Sequence, residues 1–222
     1  MPAPLRTHRI PDETPTLPQP LLPTIVVSSF KGGVWKTSIA VALAERLAFA
    51  GLRVLLVTTD QQEDARHRLG IKGADGLLPR VERGKGMITV LGAQGSKATD
   101  LLYRSGPEKL KVGAFDLAVV DTPPLEIGGH LPGVLLIVTM DGADAARNAT
   151  LMLQKTPKNT EIVLIKVQRM DNEEWKNDVD TIATVVGRSD ILFLKESLPK
   201  AEPIARAHNQ HQSVWSLPRR GN

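Results

Sequence analysis

The chain has 222 residues, a formal net charge of +4, 41% apolar residues and 23% charged residues, a composition typical of a globular domain rather than a disordered or fibrous chain. It contains no cysteine, which excludes disulfide frameworks, thiolate zinc sites and iron–sulfur clusters held by cysteines. Aromatic residues make up only 4%, too few for a stacking platform that binds single-stranded nucleic acid. We find no apolar run of signal-peptide or membrane-spanning length and expect a cytoplasmic protein.

Proline recurs throughout residues 1–23. Because proline fixes φ and lacks a backbone N–H, this composition predicts a flexible N-terminal tail rather than a helix or a paired strand. We expect one folded domain over residues 24–216, followed by a short basic C-terminal tail at 217–222.

The domain contains a series of unbroken apolar runs, most of them separated by segments of helical length. The predicted strands are Thr24–Ser28, Arg53–Val57, Met87–Leu91, Leu117–Val120, Gly133–Thr139, Glu161–Lys166 and Ile191–Leu194. The predicted helices are 36–50, 142–155, 171–186 and 201–209. Such runs are typical of strands buried on both faces of a parallel sheet. We therefore predict an α/β fold with a mostly parallel twisted sheet and helices on both faces. Most of the glycine-rich segment 61–115 is not assigned to a helix or a strand.

The turn between the first strand and the first helix is the predicted site, because ligands bind beyond the carboxyl ends of the strands in open α/β sheets. Its glycines allow the backbone to wrap around a phosphate, and a helix N-terminus and a lysine add donors and positive charge. A threonine hydroxyl beside the lysine is a ligand suited to Mg²⁺. The predicted nucleotide-binding residues of this turn are Lys31, Gly32, Gly33, Val34, Trp35, Lys36, Thr37 and Ser38.

The pattern Lys-Gly-Gly-x-x-Lys-Thr after a strand resembles the deviant Walker A motif of the ParA/MinD ATPases. In that family an additional lysine, matched by Lys31, reaches across a nucleotide-sandwich dimer to the partner's phosphates. The segment 115–124 resembles the Walker B and switch II region, in which Asp121 supports the Mg²⁺ shell. The segment 55–62 resembles switch I, in which Asp60 positions the hydrolytic water and the metal. The resemblance implies a three-layer P-loop NTPase fold.

The resemblance also implies a complete set of site residues. The residues expected to act in hydrolysis are Lys31, Lys36 and Asp60, and those expected to hold Mg²⁺, partly through water, are Thr37, Asp60 and Asp121. The segment 197–200 resembles the strip that lies against the adenine, which places Leu198 and Pro199 there, with Arg169 near the edge of the base. ATP and Mg²⁺ are the expected cofactors.

The sequence departs from the family pattern at Phe30 and Trp35, where the family has glycine, and at Thr58 and Gln61 in switch I. The Cβ of Trp35 is expected to disfavour a positive φ at this position, and its indole is expected to crowd the phosphates or a dimer partner. We therefore expect a slow ATPase that is impaired by Trp35. Whether Trp35 packs against a partner or blocks the sandwich stays open.

Among relatives, the absence of cysteine and of a C-terminal amphipathic helix favours plasmid partition and plasmid stability proteins, including the StbB type, over iron–sulfur carriers and membrane-bound members. The expected protein is an ATP-dependent homodimer, nucleoid-associated, that binds DNA non-specifically and binds a cargo or centromere-binding adaptor in partition, stability or conjugative transfer. The predicted DNA-binding residues are Lys176, Arg188, Lys195, Lys200, Arg206, Arg219 and Arg220. The alternative is a degenerate P-loop adaptor with weak or no hydrolysis that works through protein contacts.

Overall fold

The computed structural model describes residues 18, 20–29, 31–59, 64–72, 76–77, 81–92, 96–105, 107–123, 131–140, 144–167, 172–194 and 202–216. Most of the predicted proline-rich tail, and all of the predicted tail at 217–222, lie outside these described residues.

One nine-stranded sheet forms the centre of the described chain. Its strands are β1 (Thr24–Ser28), β2 (Arg53–Thr58), β3 (Gly76–Leu77), β4 (Val81–Arg83), β5 (Gly86–Gly92), β6 (Leu117–Asp121), β7 (Leu135–Met140), β8 (Glu161–Lys166) and β9 (Ile191–Phe193). Their order is β3-β5-β2-β6-β1-β7-β8-β9, with β4 also paired to β5. All pairings are parallel except those of β3 and β4 with β5. The sheet is therefore mostly parallel, as predicted.

The described helices are α1 (Lys36–Phe49), α2 (Asp64–Arg68), α3 (Ser96–Tyr103), α4 (Pro107–Leu110), α5 (Asp144–Gln154), α6 (Asn172–Val186) and α7 (Glu202–Asn209). Single 3-10 turns occur at Val112–Ala114 and Val214–Ser216. Among the described helices, none combines the length and the hydropathy that crossing a lipid bilayer requires.

Two apolar clusters cover the opposite faces of the sheet. Successive residues of β2 alternate between them: Leu55 and Val57 belong to the cluster beneath α3, α4, α5 and α6, whereas Val54 and Leu56 belong to the cluster beneath α1 and α2. This alternation follows from the two-residue period of a strand, and it requires both faces to be apolar. The unbroken apolar runs of the sequence thus produce a three-layer structure, which confirms the predicted fold class.

The segment 61–115, largely unassigned from the sequence, contributes short elements at one edge of the sheet. β4 and β5 form an antiparallel hairpin, in which Arg83 pairs with Gly86 and Gly84 has φ 59°. A Cβ at Gly84 would lie 2.8 Å from Cδ1 of Phe49, so glycine is required there by both conformation and space. β3 and β4 have only two and three residues and lack the apolar run that marks the equally short β9, so the sequence did not predict them.

A buried carboxylate joins this hairpin and the C-terminal turn to α1. Glu45 is only 2% exposed; its Oε1 accepts a hydrogen bond from Nε of Arg83 at 3.2 Å, and its Oε2 accepts one from Oγ of Ser213 at 2.7 Å. Next to it, Nε1 of Trp215 donates to the carbonyl of Ala42 at 2.8 Å. The outer side of α1 is therefore held by polar contacts from two distant parts of the chain.

We expect Glu45→Gln to lower the free energy of unfolding by about 1–3 kcal/mol, because both hydrogen bonds lose their charged acceptor while the site stays buried. Urea denaturation measures this loss. Asp100→Asn is the matched control, since Asp100 and Arg104 form an exposed i,i+4 pair whose removal should cost no more than about 0.5 kcal/mol. Equal losses in the two variants would contradict the role assigned to Glu45.

Candidate phosphate-binding site

The loop between β1 and α1 lies at the end of the sheet where the parallel strands reach their carboxyl termini. It is near the middle of the strand order, because β1 is an interior strand. β1 pairs with β6 on one side and with β7 on the other, and Val27 is in register with Asp121 at the end of β6. The loop, the N-terminus of α1 and the carboxylate of Asp121 therefore share one edge, as expected for a nucleotide site in an open α/β sheet.

The backbone of the loop turns through two left-handed residues before α1 begins. Gly33 has φ 73°, and Trp35, at the N-cap of α1, has φ 65° and ψ 12°. The expectation that the Cβ of Trp35 would disfavour a positive φ is wrong, because Trp35 itself adopts the left-handed conformation. Such a conformation is uncommon outside glycine and costs about 1–2 kcal/mol.

The glycines of the loop face open space. A Cβ added to Gly32 or Gly33 would meet no atom within 4 Å, so packing within the chain does not require glycine at either position. α1 has no acidic residue in its first turn, and its N-cap residue makes no side-chain hydrogen bond. A helix N-terminus that lacks such a cap, next to an open glycine backbone, is suited to an anion.

Lys36 holds its charge inside the loop. The residue is 7% exposed, and its Nζ donates a hydrogen bond at 3.0 Å to the carbonyl of Lys31, five residues earlier. The backbone N–H of Lys31 donates to Oγ of Ser29 at 3.2 Å, which fixes the start of the turn. An ammonium held in this way needs little rearrangement to meet a phosphate that enters the loop.

The structure places the other predicted loop residues at different depths. Val34 and Ser38 are buried, and Val34 anchors the loop to the interior. Trp35 and Thr37 are half-buried. Lys31 is exposed together with the two glycines.

Asp121 is fully buried at the end of β6. Its carbonyl accepts hydrogen bonds from the N–H and the hydroxyl of Thr59, both at 3.0 Å, so the backbone of the strand end is fixed. Burying a carboxylate is costly unless a cation compensates it. Asp121 and the hydroxyl of Thr37 are hard oxygen donors of the kind Mg²⁺ prefers, and their chemistry fits that ion.

A cleft of about 580 Å³ opens beside the loop, between α1, α2 and α7. Arg68 of α2 lines it, and its Nη1 contacts Oγ of Ser38 in the first turn of α1 and lies 3.2 Å from Nδ1 of His208. A guanidinium has no acceptor, so Nδ1 of His208 accepts and the ring proton lies on Nε2. Two causes lower the pKa of His208 to about 4: burial, which has the larger effect, and the positive charge of Arg68. The ring is therefore neutral near pH 7. The sequence did not predict Arg68, because α2 was not assigned.

Four predicted site residues lie outside the described residues: Asp60, Arg169, Leu198 and Pro199. Two departures from the family pattern, Phe30 and Gln61, also lie outside them. The predicted contacts to the adenine and to the hydrolytic water therefore stay predictions. His208 and His211 do not form a metal centre with a third ligand, since the described residues contain no group of three or more His, Cys, Asp or Glu that could hold a metal ion.

The predicted DNA-binding residues divide into three groups. Lys195, Lys200, Arg219 and Arg220 lie outside the described residues. Lys176 on α6 and Arg206 on α7 are exposed. The side chain of Arg188 is only 10% exposed; its Nη2 lies 2.5 Å from a carboxylate oxygen of Asp190 and donates to the carbonyl of Thr160 at 2.8 Å. This geometry does not favour a phosphate contact by Arg188, because its charge is already neutralised and most of its surface is covered.

The fold and the loop together define a P-loop nucleotide-binding domain. The chain belongs to the CobQ/CobB/MinD/ParA nucleotide binding domain family, whose model matches residues 25–214. The earlier resemblance to ParA/MinD proteins is thus confirmed at the level of the family.

Individual relatives match parts of the chain. Soj of Thermus thermophilus, a chromosome-partitioning ATPase, is 36% identical over 113 residues, which cover 45% of each chain. Protein SopA of Escherichia coli K12 is 63% identical over 64 residues, 26% of this chain and 16% of SopA. The match therefore spans less than half the length of these relatives. The septum site-determining protein MinD of Pyrococcus horikoshii, solved with Mg-ADP, shares the fold with a TM-score of 0.61 and 19% identity over 87% of both chains.

We expect Trp35→Gly to be more stable than Trp35→Ala by about 1 kcal/mol, because the indole is lost in both variants while only alanine keeps the left-handed strain. Thermal or urea unfolding measures the difference. Arg46→Gly and Arg46→Ala are the control pair, because Arg46 is an exposed residue in α1. There the glycine variant should be less stable than the alanine variant by about 1 kcal/mol. Equal stability of the two Trp35 variants would show that residue 35 does not keep its left-handed conformation.

Proposed function

We propose that the chain is an ATP-dependent switch that binds ATP and Mg²⁺ at the loop of residues 31–38 and forms a homodimer around the nucleotide. The observation that carries this proposal is the buried ammonium of Lys36, hydrogen-bonded across the open Gly32-Gly33 backbone to the carbonyl of Lys31. Membership of the family and the match to a partitioning ATPase support it.

In this proposal the chain supplies position and charge rather than a covalent step. Lys36 and the N-terminus of α1 bind the phosphates, and the exposed Lys31 reaches the phosphates of a second copy. Thr37 and Asp121 would hold Mg²⁺, which neutralises charge on the β- and γ-phosphates when bound. Asp60 orients the attacking water, and ATP binding favours one conformation of the switch segments near Asp60 and Asp121.

The biological role that we propose is plasmid partition, plasmid stability or conjugative transfer, through a dimer associated with the nucleoid and a cargo or centromere-binding adaptor. Lys176 and Arg206 are the described cations of the proposed DNA surface, because both are exposed. A surface of this kind binds the phosphate backbone without reading sequence, and its affinity falls steeply with salt. Arg188 is left out of this surface because it is paired with Asp190.

A second candidate function is a protein-binding adaptor with weak or no hydrolysis. Trp35 favours it, because this residue is itself the left-handed N-cap of α1 and lines the cleft next to the loop. A bulky indole in that place narrows the approach of a second copy while leaving the backbone of Gly32 and Gly33 open. The ATPase is therefore expected to hydrolyse ATP and to dimerise around it, whereas the adaptor is expected to hydrolyse ATP weakly or not at all and not to dimerise. Nucleotide binding alone does not distinguish the two candidates.

We expect Lys36→Ala to lower ATP turnover by about a hundredfold or more, because it removes a charge aligned with the transferred phosphate. Lys31→Ala should retain ATP binding but lose the ATP-dependent dimer. Phosphate release measures turnover, and sedimentation velocity with and without ATP measures the dimer. Lys72→Ala is the control, since Lys72 is an exposed lysine that follows α2.

A Lys36→Ala protein that hydrolyses ATP at the wild-type rate would contradict the proposed site. A wild-type protein that binds ATP but neither hydrolyses it nor dimerises would favour the adaptor instead.

A further inference from the structure

Arg68 lies where the proposed function requires a phosphate. α2 directs it towards the first turn of α1, where its Nη1 contacts Oγ of Ser38, and towards the cleft that Gly33 and Trp35 also line. Ser38 directly follows Thr37, so this guanidinium is next to the part of the loop that would hold the nucleotide.

The position of Arg68 is unfavourable for a cation unless an anion joins it. The N-terminus of a helix carries a partial positive charge, which repels cations within its first turn. Lys36 adds a full positive charge in the same turn. Asp64 and Asp121 compensate in part, since their charges raise the pKa of Arg68, but burial has the larger effect and lowers it. A site that gathers positive charge in this way is stabilised by a negatively charged ligand.

The contacts of Arg68 also hold it ready for such a ligand. His208 of α7 accepts from the guanidinium through Nδ1, and the residue is 7% exposed. Arg68 therefore spans α1 and α7 across the cleft, with a hydroxyl as its partner on the loop side. A neutral hydroxyl is a weaker acceptor for guanidinium than a phosphate oxygen, which forms charge-assisted and often bidentate hydrogen bonds.

We propose that Arg68 is a nucleotide-binding residue whose guanidinium exchanges the hydroxyl of Ser38 for a phosphate oxygen of the bound nucleoside diphosphate or triphosphate. The inference rests on the proposed function of the loop and adds to it a residue from outside the motif. His208 is a positioning residue in this arrangement, because it holds the guanidinium at the edge of the cleft.

Isothermal titration of the full chain with Mg-ADP tests the proposal, with Arg68→Gln and Arg68→Lys compared with wild type. We expect Arg68→Gln to weaken binding about ten- to a hundredfold, the range of a hydrogen bond to a charged group. Arg68→Lys should recover part of this loss and remain about three- to tenfold weaker than wild type, because an ammonium keeps the charge but lacks the planar fork. Lys72→Gln removes the same charge from an exposed position and should bind as wild type does.

The outcomes separate the two proposals. If wild type and Lys72→Gln bind Mg-ADP and Arg68→Gln, folded by circular dichroism, binds equally tightly, the role of Arg68 is overturned and the loop remains a nucleotide site. If wild type does not bind Mg-ADP, the proposed function fails, and the role of Arg68 with it. If Arg68→Gln does not fold, Arg68→Lys decides: a loss of about threefold or more supports the role, and wild-type affinity overturns it.

Discussion

The parallel pairing of β1 between β6 and β7 determines where the groups of the candidate phosphate-binding site lie. Each parallel pairing places the carboxyl ends of the strands at the same edge, so Val27 is in register with the buried Asp121 at the end of β6, and Ser28 then leads into the loop. The hydroxyl of Thr122 strengthens this junction by donating to the carbonyl of Val27 at 3.0 Å. The central position of β1 also lets apolar layers cover it on both faces, with Val26 in one cluster and Val27 in the other, so a buried strand supports the loop.

Beyond the buried Val34, polar contacts and backbone conformation organise the loop. The ammonium of Lys36 closes the turn onto the carbonyl of Lys31, and Gly32 and Gly33 leave their backbone open. The left-handed Trp35 shows that a chain of this family can build the turn without glycine at that position, at a conformational cost that the rest of the fold outweighs. The same residue lines the cleft with Arg68 and His208, so the departure from the family pattern coincides with polar groups that the motif does not include.

The fold was predictable where a physical signal extends over many residues. The strands β1, β2, β5, β6, β7 and β8 are mostly buried and appear as apolar runs, and the short β9 also lies in one. α1 appears as a run of good helix formers that follows a glycine turn. β3, β4 and α2 are too short to show a period, and they are held by contacts with β5 and α1 rather than by local preference. The loop of residues 31–38 could be predicted as a candidate site because glycine, lysine and threonine in sequence suit a phosphate and Mg²⁺. Arg68 was not, because only the folded chain brings residue 68 next to residue 38.

A structure of the chain with Mg²⁺ and a non-hydrolysable ATP analogue tests most directly whether this loop is a nucleotide site in spite of Trp35. The account predicts the phosphates inside the turn of residues 31–38, with Nζ of Lys36 moved from the carbonyl of Lys31 to a phosphate oxygen and Mg²⁺ near Thr37 and Asp121. An empty loop at saturating analogue, with Lys36 still bonded to Lys31, would contradict it.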